Sequence, residues 1–128
     1  MKRINRSQKL VHPAGREEQL GSIRFIEEQG NIARNVTIFD NKIDRSPCGT
    51  GSSAHMALKY AKGEIGLDEE MIHRSIIHTG FRVKLIEKEN IWGIETVIPE
   101  IRGSAWLTGI HEFIKDTDDP LQNGFKLE

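Results

Sequence analysis

The segment richest in reactive and ligand-binding groups surrounds the single cysteine and reads Asp44-Arg45-Ser46-Pro47-Cys48-Gly49-Thr50-Gly51-Ser52-Ser53-Ala54. We call this segment the cysteine motif. Gly49 and Gly51 lack the β-carbon that would keep a ligand away from the backbone, and Pro47 stiffens the turn just before the thiol. These residue types indicate a place where an anion, either a thiolate or a bound carboxylate, lies against the backbone.

The motif lies between a predicted strand and a predicted helix. Residues 35–39 alternate polar and apolar side chains and are rich in β-branched residues, which predicts a strand ended by the turn at 40–42. Residues 52–62 are rich in helix formers and have apolar residues at helical spacing. Cys48 is therefore expected just before a helix N-terminus, where free backbone N–H groups and the helix dipole stabilise an anion.

The remaining sequence predicts further strands and one more short helix. A polar lead-in runs to about Glu18. The elements expected after it are a strand at 22–27, a helix at 68–73, a strand at 81–84, a hairpin turn at 87–90 into a strand at 92–98, and a last long strand at 104–114. This pattern predicts an α+β fold in which a sheet wraps a helix.

Composition excludes several classes of protein. The 128 residues fit one domain, and 18 basic against 19 acidic residues leave no charge excess for nucleic acid or an anionic membrane. One cysteine forms no intramolecular disulfide and suggests no structural zinc site. The chain has no long apolar stretch and no signal peptide pattern, so a cytoplasmic protein is expected, with neither nucleic acid nor membrane as a partner.

The cysteine motif resembles the second cysteine motif of the proline racemase family, which includes proline racemases and hydroxyproline epimerases. The resemblance covers roughly residues 20–128, and several spaced motifs agree in order, which makes it far more specific than one glycine-rich loop. The further matching segments are Ala61-Lys62-Gly63-Glu64, Ser75-Ile76-Ile77, Pro99-Glu100-Ile101-Arg102-Gly103, Ala105-Trp106-Leu107-Thr108-Gly109, Asp118-Asp119-Pro120-Leu121 and Gly124-Phe125.

The resemblance implies amino-acid racemisation or epimerisation at Cα without a cofactor or a metal. Enzymes of this family use two cysteines on opposite faces of the substrate, one as base and one as acid. Cys48 matches the second catalytic cysteine, and Asp44 matches the acid that contacts the substrate ammonium. Gly49 and Thr50 match the residues whose backbone amides hold the substrate carboxylate. The implied ligand is an imino acid, proline or hydroxyproline.

The resemblance also implies that this chain corresponds to one half of a two-domain fold. The family has a diaminopimelate-epimerase-like architecture, in which each half is a curved, mixed or antiparallel sheet wrapped around a central helix. Residues 19–115 match the C-terminal half, and 1–18 match an interdomain segment. Residues 116–128 are expected to pack on the N-terminal half or a neighbouring chain. That half carries the other cysteine in a Cys-Gly-His setting, so the isolated chain is expected to be inactive.

Small departures from the family pattern bear on the reaction. Ser52 stands where the family commonly has threonine, and His55 stands where it commonly has arginine, which we expect to alter only the charge of the helix surface. Family members that dehydrate hydroxyproline usually have threonine in place of Cys48. The cysteine therefore indicates a racemase or epimerase.

Side chains outside the motif suggest no further chemistry. The histidines have no close metal-ligand spacing and are interpreted as surface or structural residues. The aromatic residues of the predicted strands are expected in the core or at the interface between halves rather than as a platform for bases. The residues concerned are His12, His55, His73, His78, His111, Phe81, Trp92, Trp106 and Phe113.

Two alternatives to an enzyme half remain open. The chain can be a truncated, non-catalytic half-domain that self-associates as a homo-oligomer through an exposed interface. It can also be a redox-sensitive thiol module, because an accessible cysteine at a helix N-terminus is easily oxidised. Without its flanking motif, a lone cysteine is more often a small buried apolar residue than a catalyst.

Overall fold

A computed structural model describes residues 9–39 and 41–126 of the chain. Within this part, the fold is α+β, as predicted, with one helix and strands in two sheets. The elements are β1 (Leu10–Val11), β2 (Glu17–Glu18), β3 (Ser22–Gln29), β4 (Ile32–Phe39), β5 (Lys42–Ile43), α1 (Gly49–Ala61), β6 (Glu70–Arg74), β7 (Gly80–Ile91) and β8 (Ile94–Arg102). The helix is too short to span a bilayer, and the described residues contain no other helix that could do so.

The larger sheet is mixed and open. Its strand order is β3-β4-β6-β7-β8, and the short β5 pairs with β4 beside this path. All neighbouring strands are antiparallel except β4 and β6, which run parallel. The chain travels between these two parallel strands through α1. Strands β1 and β2 form a separate two-stranded sheet.

The core lies between α1 and the middle of the sheet. Met56, which is fully buried, is the apolar residue that the helix contributes to this core. It belongs to one cluster with buried side chains from β4, β6, β7 and the segment after the helix, namely Ala33, Ile65, Met71, Val83 and Leu85. Burial of these apolar side chains holds the helix, and therefore the cysteine motif at its N-terminus, against the sheet.

Replacing the buried helix methionine is expected to destabilise the whole domain. Met56→Ala should lower the free energy of unfolding by about 2–5 kcal/mol, because it leaves a cavity in the core. Leu58→Ala is the matched control, since this side chain is 53 % exposed on the same helix and should cost less than about 1 kcal/mol. Urea denaturation of both variants measures the difference. Equal losses would contradict this description of the core.

The helix predicted at 68–73 is wrong, because this segment contains strand β6. Met71 and His73 point to the buried side of the sheet, and the residues between them are more exposed. This alternation has the period of a strand. β6 also gains hydrogen-bonded neighbours on both sides, β4 and β7, which outweighs the local helix signal.

The hairpin turn predicted at 87–90 is also wrong. β7 continues through this charged segment to Ile91, and the turn is formed by Trp92 and Gly93. Both turn residues have positive φ, 54° and 79°, as two-residue hairpin turns of the favoured type require. Glu87, Lys88, Glu89 and Asn90 are exposed along the strand pair, where they face solvent without breaking the ladder.

The last predicted strand, 104–114, has no regular structure. The segment pairs with no strand among residues 9–39 and 41–126, and a strand needs a neighbour for its backbone hydrogen bonds. Its large apolar side chains are exposed, with Trp106 at 86 % and Phe113 at 92 %. Trp92 is exposed as well, so none of these three residues lies in the core, and their predicted position at an interface between halves stays a prediction. Phe81, in contrast, packs against the core as predicted.

Candidate active site

Cys48 caps the N-terminus of α1. The helix begins at Gly49, three residues earlier than predicted, and Cys48 is its N-cap residue. The thiol Sγ accepts a hydrogen bond from the Gly51 N–H at 3.3 Å, so a backbone donor at the positive end of the helix dipole faces the sulfur. Cys48 has φ 63°, a left-handed conformation that few residues with a side chain adopt and that often marks functional sites.

Local hydrogen bonds build the loop that holds the cysteine. The Asp44 N–H donates to the Thr37 carbonyl at 3.0 Å, which ties the loop to β4. Asp44 Oδ1 accepts from the Ser46 N–H at 2.8 Å, and Ser46 Oγ accepts from the Cys48 N–H at 3.0 Å. Asp44 therefore orders the turn before the thiol, whatever else its carboxylate binds.

The four predicted site residues come together at this end of the helix. Gly49 and Thr50 form the first turn of α1, where backbone N–H groups have no partner within the helix. Thr50 is exposed, whereas Asp44, Cys48 and Gly49 are half-buried. A small anion can therefore reach these donors from solvent.

Arg24, a residue of β3 that sequence reasoning missed, lies behind the cysteine motif. A β-carbon built on Gly51 would be 2.7 Å from Arg24 Nη1 and 3.2 Å from Cys48 Sγ. The guanidinium and the sulfur thus flank the same point of the helix, no more than about 6 Å apart. Arg24 Nη1 donates to Ser52 Oγ at 3.2 Å.

A series of contacting side chains runs from the half-buried Arg24 through two buried histidines to Glu28 at the surface. Arg24 Nη2 lies 3.3 Å from His73 Nδ1, and His73 Nε2 lies 3.3 Å from His55 Nδ1. His55 Nε2 is 2.6 Å from Glu28 Oε1, and the Lys59 ammonium donates to Glu28 Oε2 at 2.8 Å. We call these residues the Arg24 chain.

Both imidazoles of the Arg24 chain are neutral near pH 7. Burial lowers the pKa of His73 to about 3, and the charge of Arg24 acts in the same direction. Burial also lowers the pKa of His55, although its hydrogen bond to the Glu28 carboxylate acts in the opposite direction. The hydrogen bond that Lys59 donates lowers the pKa of the Glu28 carboxyl, so Glu28, at the far end of the Arg24 chain, is an ionised carboxylate.

The expectation that His55 only alters the charge of the helix surface is wrong. His55 is 7 % exposed and His73 is fully buried, so both are structural rather than surface histidines. The sequence contains a sign that His55 is buried. Spacings of three and four residues place it on the same face of the helix as Ser52, Met56 and Lys59. Residues 9–39 and 41–126 contain no group of three or more histidine, cysteine, aspartate or glutamate residues that could hold a metal ion.

An open groove lies beside Asp44. Residues 44–47, the part of the cysteine motif before the thiol, line it together with the segment after β6 and the start of the exposed C-terminal segment. The side chains that line it include Asp44, Ser46, Pro47, Thr79, Phe81 and Trp106. This groove places a carboxylate next to an apolar wall, which suits a small molecule with an ammonium and a hydrocarbon part.

Comparison with known proteins identifies relatives of the whole chain. The family model for proline racemase matches residues 1–126. A proline racemase from Acetoanaerobium sticklandii is 38 % identical over 97 % of this chain, and a trans-3-hydroxy-L-proline dehydratase from Bacillus cereus is 39 % identical over 79 % of it. A hydroxyproline epimerase from Agrobacterium vitis, solved with bound trans-4-hydroxy-L-proline, superposes with a TM-score of 0.76 and 34 % identity over 98 % of the chain.

The matched region is a minor part of each relative. The chain spans 38 % of the A. sticklandii racemase, 30 % of the dehydratase and 37 % of the A. vitis structure. The fold similarity confirms the predicted α+β architecture, with one helix against a mixed sheet. Because the family model covers nearly all residues and the motifs agree in order, this chain belongs to the proline racemase family.

Proposed function

We propose that the chain supplies one side of a cofactor-independent proline racemase or 4-hydroxyproline 2-epimerase site, with Cys48 as one of its two acid/base groups. The observation that carries the proposal is the position of the thiol at the N-cap of α1, where Sγ accepts the Gly51 N–H bond. This donor stabilises a thiolate, the form that can remove a proton from carbon.

The proposed reaction is a proton exchange at Cα. The Cys48 thiolate removes the Cα proton from one face of the imino acid, and a thiol of the N-terminal half delivers a proton to the opposite face. In the reverse direction the two groups exchange roles. Negative charge develops on the substrate carboxylate as the C–H bond breaks, and the backbone N–H groups of Gly49 and Thr50 stabilise that charge.

Asp44 is proposed to bind the substrate ammonium. Its carboxylate borders the groove beside the cysteine motif, and the bond from the Ser46 N–H fixes its orientation. A carboxylate held in place costs less to align with a cation than a mobile one. The apolar wall, which includes Phe81 and Trp106, suits the ring of proline or hydroxyproline.

The cysteine favours isomerisation over dehydration. The relatives include a dehydratase as well as a racemase and an epimerase, so family membership alone does not select the reaction. A thiol can act as base in one direction and as acid in the other. Dehydratases of the family usually have threonine at the position of Cys48, which supports a racemase or epimerase here.

A complete site needs a partner for this chain. We propose that residues 19–115 form the C-terminal-half domain, that 1–18 are an interdomain segment, and that 116–128 pack on an N-terminal half. That half carries the second cysteine, and a separate polypeptide can provide it. The exposed apolar side chains of the segment after β8, with Trp106 at 86 % and Ile110 at 91 % exposure, support a surface that binds a partner.

The test measures racemisation with and without an N-terminal half. The isolated chain should neither racemise L-proline nor epimerise trans-4-hydroxy-L-proline. Addition of an N-terminal half taken from a proline racemase, with its Cys-Gly-His motif intact, should produce activity measured by optical rotation. Racemisation by the isolated chain would contradict the requirement for a second half. Absence of racemisation and epimerisation in a mixture that forms a complex would contradict the proposed reaction.

A second candidate function is a non-catalytic half-domain that self-associates. The exposure of large apolar side chains over 104–114 favours it, because a patch of this kind is rarely left uncovered in solution. Sedimentation of the isolated chain should show a dimer or larger species, and replacing Trp106 and Phe113 by serine should convert it to monomer. A monomer in the unsubstituted chain would exclude this candidate.

A further inference from the structure

We propose that Arg24 is the positive partner of the Cys48 thiolate and that His73, His55 and Glu28 hold its guanidinium in that position. Arg24 is thus a positioning and charge-stabilising residue of the site, supplied by β3 from behind the helix. The inference rests on the proposed function for its catalytic meaning, but the ionisation of the thiol that it concerns is a property of the chain alone.

The directions of the hydrogen bonds along the Arg24 chain support this role. A guanidinium only donates, so His73 Nδ1 must accept from Arg24 Nη2, which leaves the proton of the neutral ring on Nε2. His73 Nε2–H then donates to His55 Nδ1, and His55 Nε2–H donates to the Glu28 carboxylate. We assign both tautomers on this basis. Every hydrogen bond in the Arg24 chain is donated in the direction from Arg24 toward Glu28. All of these bonds can form together only while both imidazole rings are neutral.

The guanidinium needs an anion at its other end. Arg24 is half-buried, and its Nε is a buried donor with no hydrogen-bond partner among the described residues. Its two hydrogen-bonded neighbours, Ser52 and His73, are both uncharged. Burial of a cation without a counter-charge is costly. The thiolate of Cys48, across Gly51, is the negative group positioned to compensate it.

The electrostatics of the surroundings agree with this pairing. Burial lowers the pKa of Arg24, and the negative charge of Cys48 acts in the opposite direction. The charged and titratable groups that face Arg24 are Cys48 from the motif, His55 from α1 and His73 from β6. Glu28 from β3 and Lys59 from α1 lie beyond the histidines and form an ion pair with each other. Their charges largely cancel at the position of Arg24.

Gly51 leaves space for this contact. The β-carbon of an alanine at this position would lie 2.7 Å from Arg24 Nη1 and 3.2 Å from Cys48 Sγ. Such a distance forces one of the two groups to move. Glycine at position 51 therefore permits the close approach of the guanidinium and the sulfur.

The test is the pH dependence of Cys48 alkylation in the 128-residue chain. Iodoacetamide reacts with the thiolate, so the rate against pH has a midpoint that reports thiol ionisation. Arg24→Met should move the rate profile to higher pH, because a positive charge near the sulfur is removed, and Arg24→Lys should restore most of the difference. Arg34→Met, an exposed residue of β4, is the matched control and should leave the midpoint unchanged.

A second variant covers the case in which Arg24→Met fails to fold. Gly51→Ala keeps Arg24 but displaces its guanidinium or the sulfur, and should raise the midpoint in the same direction. Gly21→Ala is its control, because its added carbon meets nothing within 4 Å. An unchanged midpoint in a folded Arg24→Met or Gly51→Ala chain would overturn the inference. Since alkylation needs no substrate, a failure of racemisation leaves this result unaffected and can be distinguished from it.

Discussion

Cys48→Ser is expected to lower the racemisation rate of a complemented mixture by about 10²–10⁴-fold, the usual contribution of one acid/base group. Serine has a similar size and is a good N-cap residue, so its hydroxyl should keep the bond from the Gly51 N–H. Its proton is held far too tightly for the hydroxyl to act as a base near pH 7. The substitution therefore removes the chemistry and leaves the helix N-terminus in place.

The measurement is optical rotation of L-proline with a fixed amount of N-terminal half and saturating amounts of this chain. Far-UV circular dichroism and the thermal midpoint of the variant should match those of the unsubstituted chain. Co-elution of the two halves confirms that the complex still forms. A folded, complexed Cys48→Ser variant that retains more than about a tenth of the rate would contradict the role of Cys48.

Acid is expected to destabilise this domain well above the range in which its carboxylates protonate. Burial lowers the pKa of His73 from its usual 6.5 to about 3 in the folded chain, so the unfolded state binds a proton that the folded state excludes. The contribution of neutral His73 to the free energy of unfolding is therefore fully present above about pH 6.5 and is lost as the pH decreases toward 3. The loss amounts to about 1.4 kcal/mol per pH unit for a fully buried histidine, and the lowered pKa of His55 adds to it.

Urea denaturation at several pH values between 7.5 and 5.0 tests this expectation. The lowered pKa of Glu28 also makes stability fall with acid, but only below the usual carboxylate range, so it contributes little in this interval. His73→Gln should flatten the pH dependence even if it lowers stability at pH 7.5. His78→Gln, at an exposed position, should not change the slope. A free energy of unfolding that is constant across the interval would show that the imidazoles do not remain neutral when buried.

The position of Cys48 was predictable because its signals are local. A strand pattern, a turn and a run of helix formers surround it, and these short-range features decide where a helix begins. The larger error was in the first turn, because the helix begins at Gly49 rather than at residue 52. Asp44, Gly49 and Thr50 lie on the same short segment, so their proximity follows from the chain itself.

The elements that were predicted wrongly depend on partners distant in sequence. β6 is a strand because β4 and β7 lie on either side of it, and no local pattern contains that information. Segment 104–114 has the alternation of a strand but pairs with no described strand, and its apolar side chains are exposed. The alternation of polar and apolar residues in this segment was therefore not sufficient to predict a strand.

The Arg24 chain could not be predicted from the spacing of its residues in the sequence. Its members come from β3, α1 and β6, and 49 positions separate Arg24 from His73. Each residue alone has an ordinary surface or structural interpretation, and only the sheet order brings them behind one helix. The helical face of Ser52, His55 and Met56 was the one local sign that His55 is buried.

Enantiomer-resolved deuterium uptake tests most directly the claim that Cys48 serves one face of the substrate. In D₂O, a complemented mixture should incorporate deuterium at Cα starting from either L-proline or D-proline. With Cys48→Ala, the other cysteine can still remove the proton on its own face, so uptake should persist for one enantiomer and disappear for the other. Equal uptake from both enantiomers in the Cys48→Ala mixture would contradict the account.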